Sequence, residues 1–218
     1  MKNILCFGDS NTWGYDALNY DYGNDTPKRM PFDVRWPGRV QLALGCDYRI
    51  IENALNGRTN MRDDPYFPRR HGLDSLIEAM DANAPVDLVV LQMGCNELKA
   101  VYALTPGMIA YGFEQLVLAA KRSYNGYKTP EILIIAPHPV AKNMANGELG
   151  FVFGTEAYEK SLSLGKLYQS IAERHHCAFI DCQDLAFTLN EKDCLHYSRE
   201  DHAKLAGAVA EKIRNILG

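Results

Sequence analysis

Five short apolar runs punctuate the chain: Asn3 to Phe7, Tyr48 to Ile51, Leu88 to Met93, Ile132 to Ala136 and Ala178 to Ile180. Their near-continuous apolarity predicts strands buried on both faces, as in a parallel sheet covered by helices. Between them, apolar positions recur at helical spacing in Gly38 to Leu44, Leu73 to Asn83, Met108 to Tyr124, Tyr158 to His175 and Glu200 to Leu217. Strand and helix therefore alternate, and right-handed crossovers between successive strands make the sheet parallel. The pattern predicts an α/β protein, a three-layer α/β/α sandwich around a central five-stranded sheet. No linker or repeat interrupts it, and 218 residues suit one large core better than two, so residues 1–218 are read as a single domain.

Strand order does not follow from periodicity. By analogy with flavodoxin-like folds, the expected order is 2-1-3-4-5. Two long stretches lack either period, Asp16 to Arg35 and Arg62 to His71, and are rich in Asp, Asn, Pro, Tyr and Arg. Loops of that length in a compact domain serve as pocket walls, lids or subunit contacts, or simply as surface connections.

Charge and composition narrow the function classes. A formal net charge of −4 without a long Lys/Arg cluster argues against a nucleic-acid surface. No apolar stretch reaches the roughly 18 residues that span a bilayer, and Met1-Lys2-Asn3 leads directly into a strand, so a soluble cytoplasmic protein is expected. The six cysteines, Cys6, Cys46, Cys95, Cys177, Cys182 and Cys194, form no Cys-x-x-Cys pair and are read as reduced packing residues.

The chemistry gathers where strands should end. In open parallel sheets ligands bind outside the carboxyl ends of the strands. Gly8-Asp9-Ser10 closes the first run, Asn56-Gly57-Arg58-Thr59 follows the second and Gly94-Cys95-Asn96-Glu97 follows the third, so all three would share one edge. Asp193 and His196 stand three residues apart on the loop before the last helix. A serine nucleophile needs a base to take its proton, and His196, with Asp193 to orient it, is the best candidate for Ser10. Taken alone, that spacing is equally that of a turn residue followed by a surface histidine. Developing charge on a carbonyl oxygen needs fixed donors, and Ser10 N–H, Gly57 N–H and the Asn96 side-chain amide are the candidates, although Asn-Gly by itself is a turn signal. Asn11, Trp13 and Cys95 stand beside these positions and are candidates for lining a substrate pocket.

Other chemistries fit less well. Asp9 at a strand end invites phosphoryl transfer, but no second acidic residue stands beside it, and no glycine-rich phosphate loop is present. His175 and His176 are adjacent near a helix end, and His138 and His202 lack a ligand-spaced partner, so neither a metal nor another cofactor is expected. A non-catalytic carbohydrate-binding or scaffold protein on the same fold would differ by lacking turnover.

Together the four blocks Gly8-Asp9-Ser10-Asn11-Thr12, Asn56-Gly57-Arg58-Thr59, Gly94-Cys95-Asn96-Glu97 and Asp193-Cys194-Leu195-His196 resemble the SGNH or GDSL-type serine esterases. Ser10 to Gly14, Asp33 to Trp36, Asp63-Asp64-Pro65 and Asn96 to Ala100 are similar to the bacterial arylesterase and perhydrolase-acyltransferase branch. The resemblance implies the SGNH hydrolase fold, a triad of Ser10, His196 and Asp193, and an oxyanion hole of Ser10, Gly57 and Asn96. It also implies metal-free hydrolysis of small, short-chain ester substrates, with acyl transfer, sugar-acetate or lysophospholipase/thioesterase-type activity as variants, and a homo-oligomer. Two positions depart from the family: Glu97 stands where Asp is usual, and Asn11 where Leu is common.

Overall fold

The five apolar runs are five strands. In the computed structural model, which describes residues 1–20 and 27–218, β1 (Lys2–Gly8) leads into α1 (Ser10–Trp13), followed by α2 (Trp36–Leu44), β2 (Tyr48–Ala54), α3 (Gly72–Asn83) and β3 (Leu88–Gln92). Then come α4 (Pro106–Ala120), β4 (Glu131–Ala136), α5 (Gly150–Phe153), α6 (Ala157–Ser161), α7 (Leu164–Arg174), β5 (Ala178–Asp181) and α8 (Arg199–Leu217). Every strand pair is parallel, and the order is β2-β1-β3-β4-β5, as the analogy anticipated.

The sheet's period of two divides the core. Leu5 and Phe7, Val89 and Leu91, Ile132 and Ile134 face α3, α4 and α7, whereas Ile4 and Cys6, Leu88 and Val90, Leu133 and Ile135 face α2 and α8. Both faces are therefore buried, which is why these strands read as continuous apolar runs. Each such Leu, Ile, Val or Phe stabilises the fold by about 1.5–3 kcal/mol relative to exposure. A charge placed within β3, whose five residues are all buried, would break the packing of both layers.

One helix is broken in two. Tyr158 to His175 is interrupted between α6 and α7, at Leu162 and Ser163. Ser161 explains the break: its hydroxyl donates to the Tyr158 carbonyl (2.6 Å) and accepts from Val140 N–H (3.2 Å), tying the helix end to the loop after β4. A serine that bonds its own backbone in this way competes with the helix. Upstream, α4 begins earlier than its apolar pattern because Thr105 caps it and Pro106 occupies its first turn, where no donor is lost.

The connection from β5 to the loop bearing Asp193 and His196 is held by α8. Ser198 and Asp201 form a reciprocal capping box, and the Asp201 carboxylate also accepts from Thr188 and Leu189 N–H (3.0 Å each). One fully buried carboxylate thus fixes both the helix start and the turn before it. Asn190 N–H reaches the His196 carbonyl and Cys194 N–H the Asn190 carbonyl, both at 2.8 Å, closing the loop on which Asp193 and His196 sit. No helix among the described residues is long and apolar enough to cross a membrane.

Candidate active site

Ser10 is placed by its neighbours in sequence. At Gly8 a Cβ would lie 2.0 Å from Thr12 Oγ1, so only glycine lets the chain fold back over the end of β1. Asp9 then caps the turn, its carboxylate accepting from Asn11 N–H at 3.0 Å, and Ser10 becomes the first helical residue of α1. The Thr12 hydroxyl donates to Gln92 Oε1 at 2.6 Å, fastening α1 to the end of β3.

The distant pair returns to this point. Asp193 Oδ1 accepts from Leu195 N–H (3.1 Å) and His196 N–H (3.0 Å), an Asx turn that leaves Oδ2 aimed at the His196 ring. Cys194, between them, takes a left-handed φ of 62°, an uncommon conformation for a residue other than glycine. Asp193 Oδ2 lies 2.6 Å from His196 Nδ1, and His196 Nε2 lies 2.8 Å from Ser10 Oγ. A carboxylate only accepts, so the proton is assigned to Nδ1, leaving Nε2 to accept from the serine hydroxyl. All three residues are buried, with Ser10 and His196 each 5% exposed. Burial pushes the Asp193 carboxyl upward, but the adjacent imidazole and the two N–H donors outweigh it and hold the group below the usual carboxylate range. Tyr15 stacks on the imidazole, with ring centroids 4.1 Å apart.

The donor candidates also meet. Gly57 has a φ of 77°, open to glycine at no steric cost, and neither its N–H nor that of Ser10 makes a hydrogen bond among the described residues. One N–H of the Asn96 amide donates to the Arg58 carbonyl at 3.0 Å, which fixes the side chain and leaves its second N–H. Arg58 lies buried over the Phe7 ring at 4.2 Å and donates to the carbonyls of Gly8 and Asn53, so it ties the ends of β1 and β2 together. Burial lowers its guanidinium to about 10.

Glu97 fills the place where the family usually carries Asp, and its longer arm reaches the Asn60 N–H, hydrogen-bonding the third block to the second. The carboxyl is buried and its other oxygen has no partner among the described residues. Desolvation raises it to about 7. Asp9, fully buried, is likewise raised to about 6 by desolvation, against the pull of Asn11 N–H and of the nearby His196 and Arg58.

The three pocket candidates lie in different settings. Asn11 and Cys95 are almost fully buried and face each other, Nδ2 to Sγ at 4.0 Å; burial keeps the Cys95 thiol far above its ordinary value. Trp13 is half-buried beneath the Arg29 guanidinium, which also donates to its carbonyl at 2.7 Å. Among the described residues no group of three or more His, Cys, Asp or Glu side chains is placed to hold a metal ion. Residues 21–26, part of the stretch Asp16 to Arg35, lie outside the described residues. In the other long stretch, Asp64 accepts from Lys99 (2.8 Å) and Tyr102 (2.9 Å), anchoring the loop beside Gly57. Sequence reasoning missed the stacking of Tyr15 on His196 and the bond from Tyr197 N–H to Asn11 (3.0 Å). The only signal for either was adjacency to the motif residues.

A parallel α/β sheet with a hydrogen-bonded Asp, His and Ser at the carboxyl ends of its strands is the arrangement of an acyl hydrolase. The chain belongs to the GDSL-like lipase/acylhydrolase family, whose model matches residues 6–207. Among solved structures it is similar to a carbohydrate acetylesterase from Sinorhizobium meliloti (33% identity, TM-score 0.91) and to the aryl esterase of M. smegmatis (32%, 0.91), both chains covered in full in each comparison. A structure described as a putative arylesterase from Agrobacterium tumefaciens is 30% identical over the full length of both chains, with a TM-score of 0.87. No curated protein matches the chain. The protein is a carboxylic ester hydrolase with the SGNH fold.

Proposed function

We propose that the protein cleaves short-chain, acetyl-type esters through an acyl-enzyme on Ser10. The observation that carries this reading is the unbroken hydrogen-bonded line from Asp193 through His196 to Ser10. Ser10 Oγ attacks the ester carbonyl carbon as His196 Nε2 takes its proton, and Asp193 stabilises the imidazolium without becoming protonated itself. The carbonyl oxygen, now an oxyanion, is received by Ser10 N–H, Gly57 N–H and the second N–H of Asn96. Collapse of the tetrahedral intermediate breaks the bond to the alcohol oxygen, which leaves with the proton from His196. Water activated by the same histidine then attacks the acyl-serine and releases the acid, and an alcohol in place of water gives acyl transfer.

The acetylesterase and aryl esterase descriptions of similar structures support a short acyl group and leave sugar acetates and aryl acetates as the two natural classes of substrate. A binding-only scaffold is opposed by the complete line of groups. Exposed Tyr66, Phe67 and Phe151 support self-association as part of the same reading.

The test is a serine-directed phosphonate followed by peptide mass spectrometry, with p-nitrophenyl acetate turnover measured alongside. The adduct is expected on Ser10, and Ser10→Ala should lose turnover by several orders of magnitude while its thermal melt stays that of a folded protein. An adduct on another residue, or turnover surviving in Ser10→Ala, would sink the assignment.

A further inference from the structure

Two hydrogen bonds run side by side between the same two segments. Ser10 faces His196, and the next residue on each side repeats the pairing: Tyr197 N–H donates to Asn11 Oδ1 at 3.0 Å, 186 residues apart in sequence, as are Ser10 and His196. The first is the line along which a proton moves. The second contains no titrating group and sits one residue behind it.

The rest of Asn11 and Tyr197 is held as well. The Tyr197 hydroxyl accepts from Gln92 Nε2 at 3.1 Å and from His138 N–H at 3.4 Å, and Gln92 Oε1 accepts from Thr12 at 2.6 Å. A ring therefore closes from Asn11 to Tyr197, through Gln92 to Thr12 and back along α1. Both Asn11 and Tyr197 are about 1% exposed, so water has no access to replace the bond. A buried N–H left without an acceptor carries a desolvation penalty, and the segment relieves it by moving. The segment that moves is the one bearing His196.

We propose that Asn11 is a positioning residue that sets the Ser10–His196 distance by accepting from the backbone of the residue after the histidine. This inference rests on the Ser10, His196 and Asp193 reading of the site. It gives position 11 a role in alignment rather than in contact with substrate. Reacting groups misplaced by about 1 Å lose on the order of 10²-fold in rate, and a loss confined to the reacting alignment falls on kcat and not on substrate binding.

The experiment compares Asn11→Leu with Asn11→Asp in the full chain, with p-nitrophenyl acetate as substrate and the same phosphonate as probe. Leucine keeps the branched shape without the acceptor; aspartate keeps the acceptor. Asn11→Leu should lower kcat by about 10- to 10²-fold with KM nearly unchanged, and slow phosphonate labelling of Ser10 in proportion. Asn11→Asp should recover most of kcat. Both are assayed well below their melting temperatures, so reduced stability alone leaves kcat per folded molecule unmoved; should Asn11→Leu not fold, Asn11→Ala takes its place. Near-normal kcat without the acceptor, a loss carried by KM, or equal loss in Asn11→Asp each overturns the proposal. Failure of the wild-type Ser10 to label would instead overturn the triad reading on which it rests.

Discussion

Glu97 shows how one added methylene alters a site without displacing its chemistry. Its side chain spans from the turn after β3 to the Asn60 N–H, so the departure from the usual Asp leaves the segments carrying Gly57 and Asn96 hydrogen-bonded together. The consequence is a buried acid: desolvation raises its carboxyl to about 7 from an ordinary 4.5, with the Asn60 bond pulling down, Asp9 pushing up and Lys99 pulling down. A carboxyl raised in the folded state binds its proton more tightly there than in the unfolded chain. The associated stability is full below about 4.5 and is lost as pH rises through about 7. Glu97→Gln imitates the protonated form, so its melting temperature relative to wild type should climb by several degrees between about pH 5 and pH 8. A difference that stays constant across that range would show that Glu97 is ionised throughout. His202 works in the opposite sense: burial lowers it from 6.5 to about 3, so the stability that depends on the neutral ring is lost as pH falls below about 6.5 toward 3. Its Nδ1 accepts from Trp36 N–H at 3.1 Å, a bond that only the neutral ring makes.

Elements were legible where one physical signal dominated. The central strands β1, β3 and β4 read clearly because burial on both faces demands unbroken apolar residues, whereas the edge strands β2 and β5 are only partly buried, and β1 differed from its expected span only by Lys2 and Gly8 at the ends. The break between α6 and α7 did not, because it depends on where one hydroxyl, Ser161, finds its partner in the loop after β4. The same distinction holds at the site. Gly8, Ser10, Asp193 and His196 are recognisable as types in a pattern, and hydrogen bonds join Asp193 to His196 and His196 to Ser10. The bond from Tyr197 N–H to Asn11 and the reach of Glu97 to Asn60 join residues far apart in sequence, and no local spacing announces them. The start of α8 combines both situations. Ser198-x-x-Asp201 is a readable capping pattern, whereas the further bonds from Asp201 to Thr188 and Leu189 appear only in three dimensions. Ser198→Ala should therefore destabilise the protein by about 1 kcal/mol, the usual worth of such a cap, seen as a lowered urea midpoint with unchanged slope. An unchanged midpoint would mean that Asp201 alone holds the helix start.

At the scale of the molecule, Ser10 and His196 meet at the carboxyl edge of the sheet, and on the proposed mechanism access to them decides what is cleaved. Ser10 and His196 are each 5% exposed, Tyr15 covers one face of the imidazole, and the backbone turns that carry Gly57 and Asn96 stand on the other strand ends. On the proposed mechanism an ester brings its carbonyl carbon to the largely buried Ser10 Oγ, and each added methylene of the acyl chain must find apolar surface to bury. Burying one methylene stabilises a complex by about 0.8 kcal/mol, so an enzyme with a long acyl groove gains roughly four-fold in kcat/KM per carbon. Here Asn11, the residue after Ser10, is packed against Cys95, and both are almost fully buried, so neither side chain lines an open acyl channel. Acetyl and butyryl p-nitrophenyl esters should therefore be cleaved with higher kcat/KM than the octanoyl ester, measured below the micelle-forming concentration of the longest. A steady rise with chain length would require apolar surface that each added methylene can bury, and would move the proposed substrate class from acetyl esters to lipids.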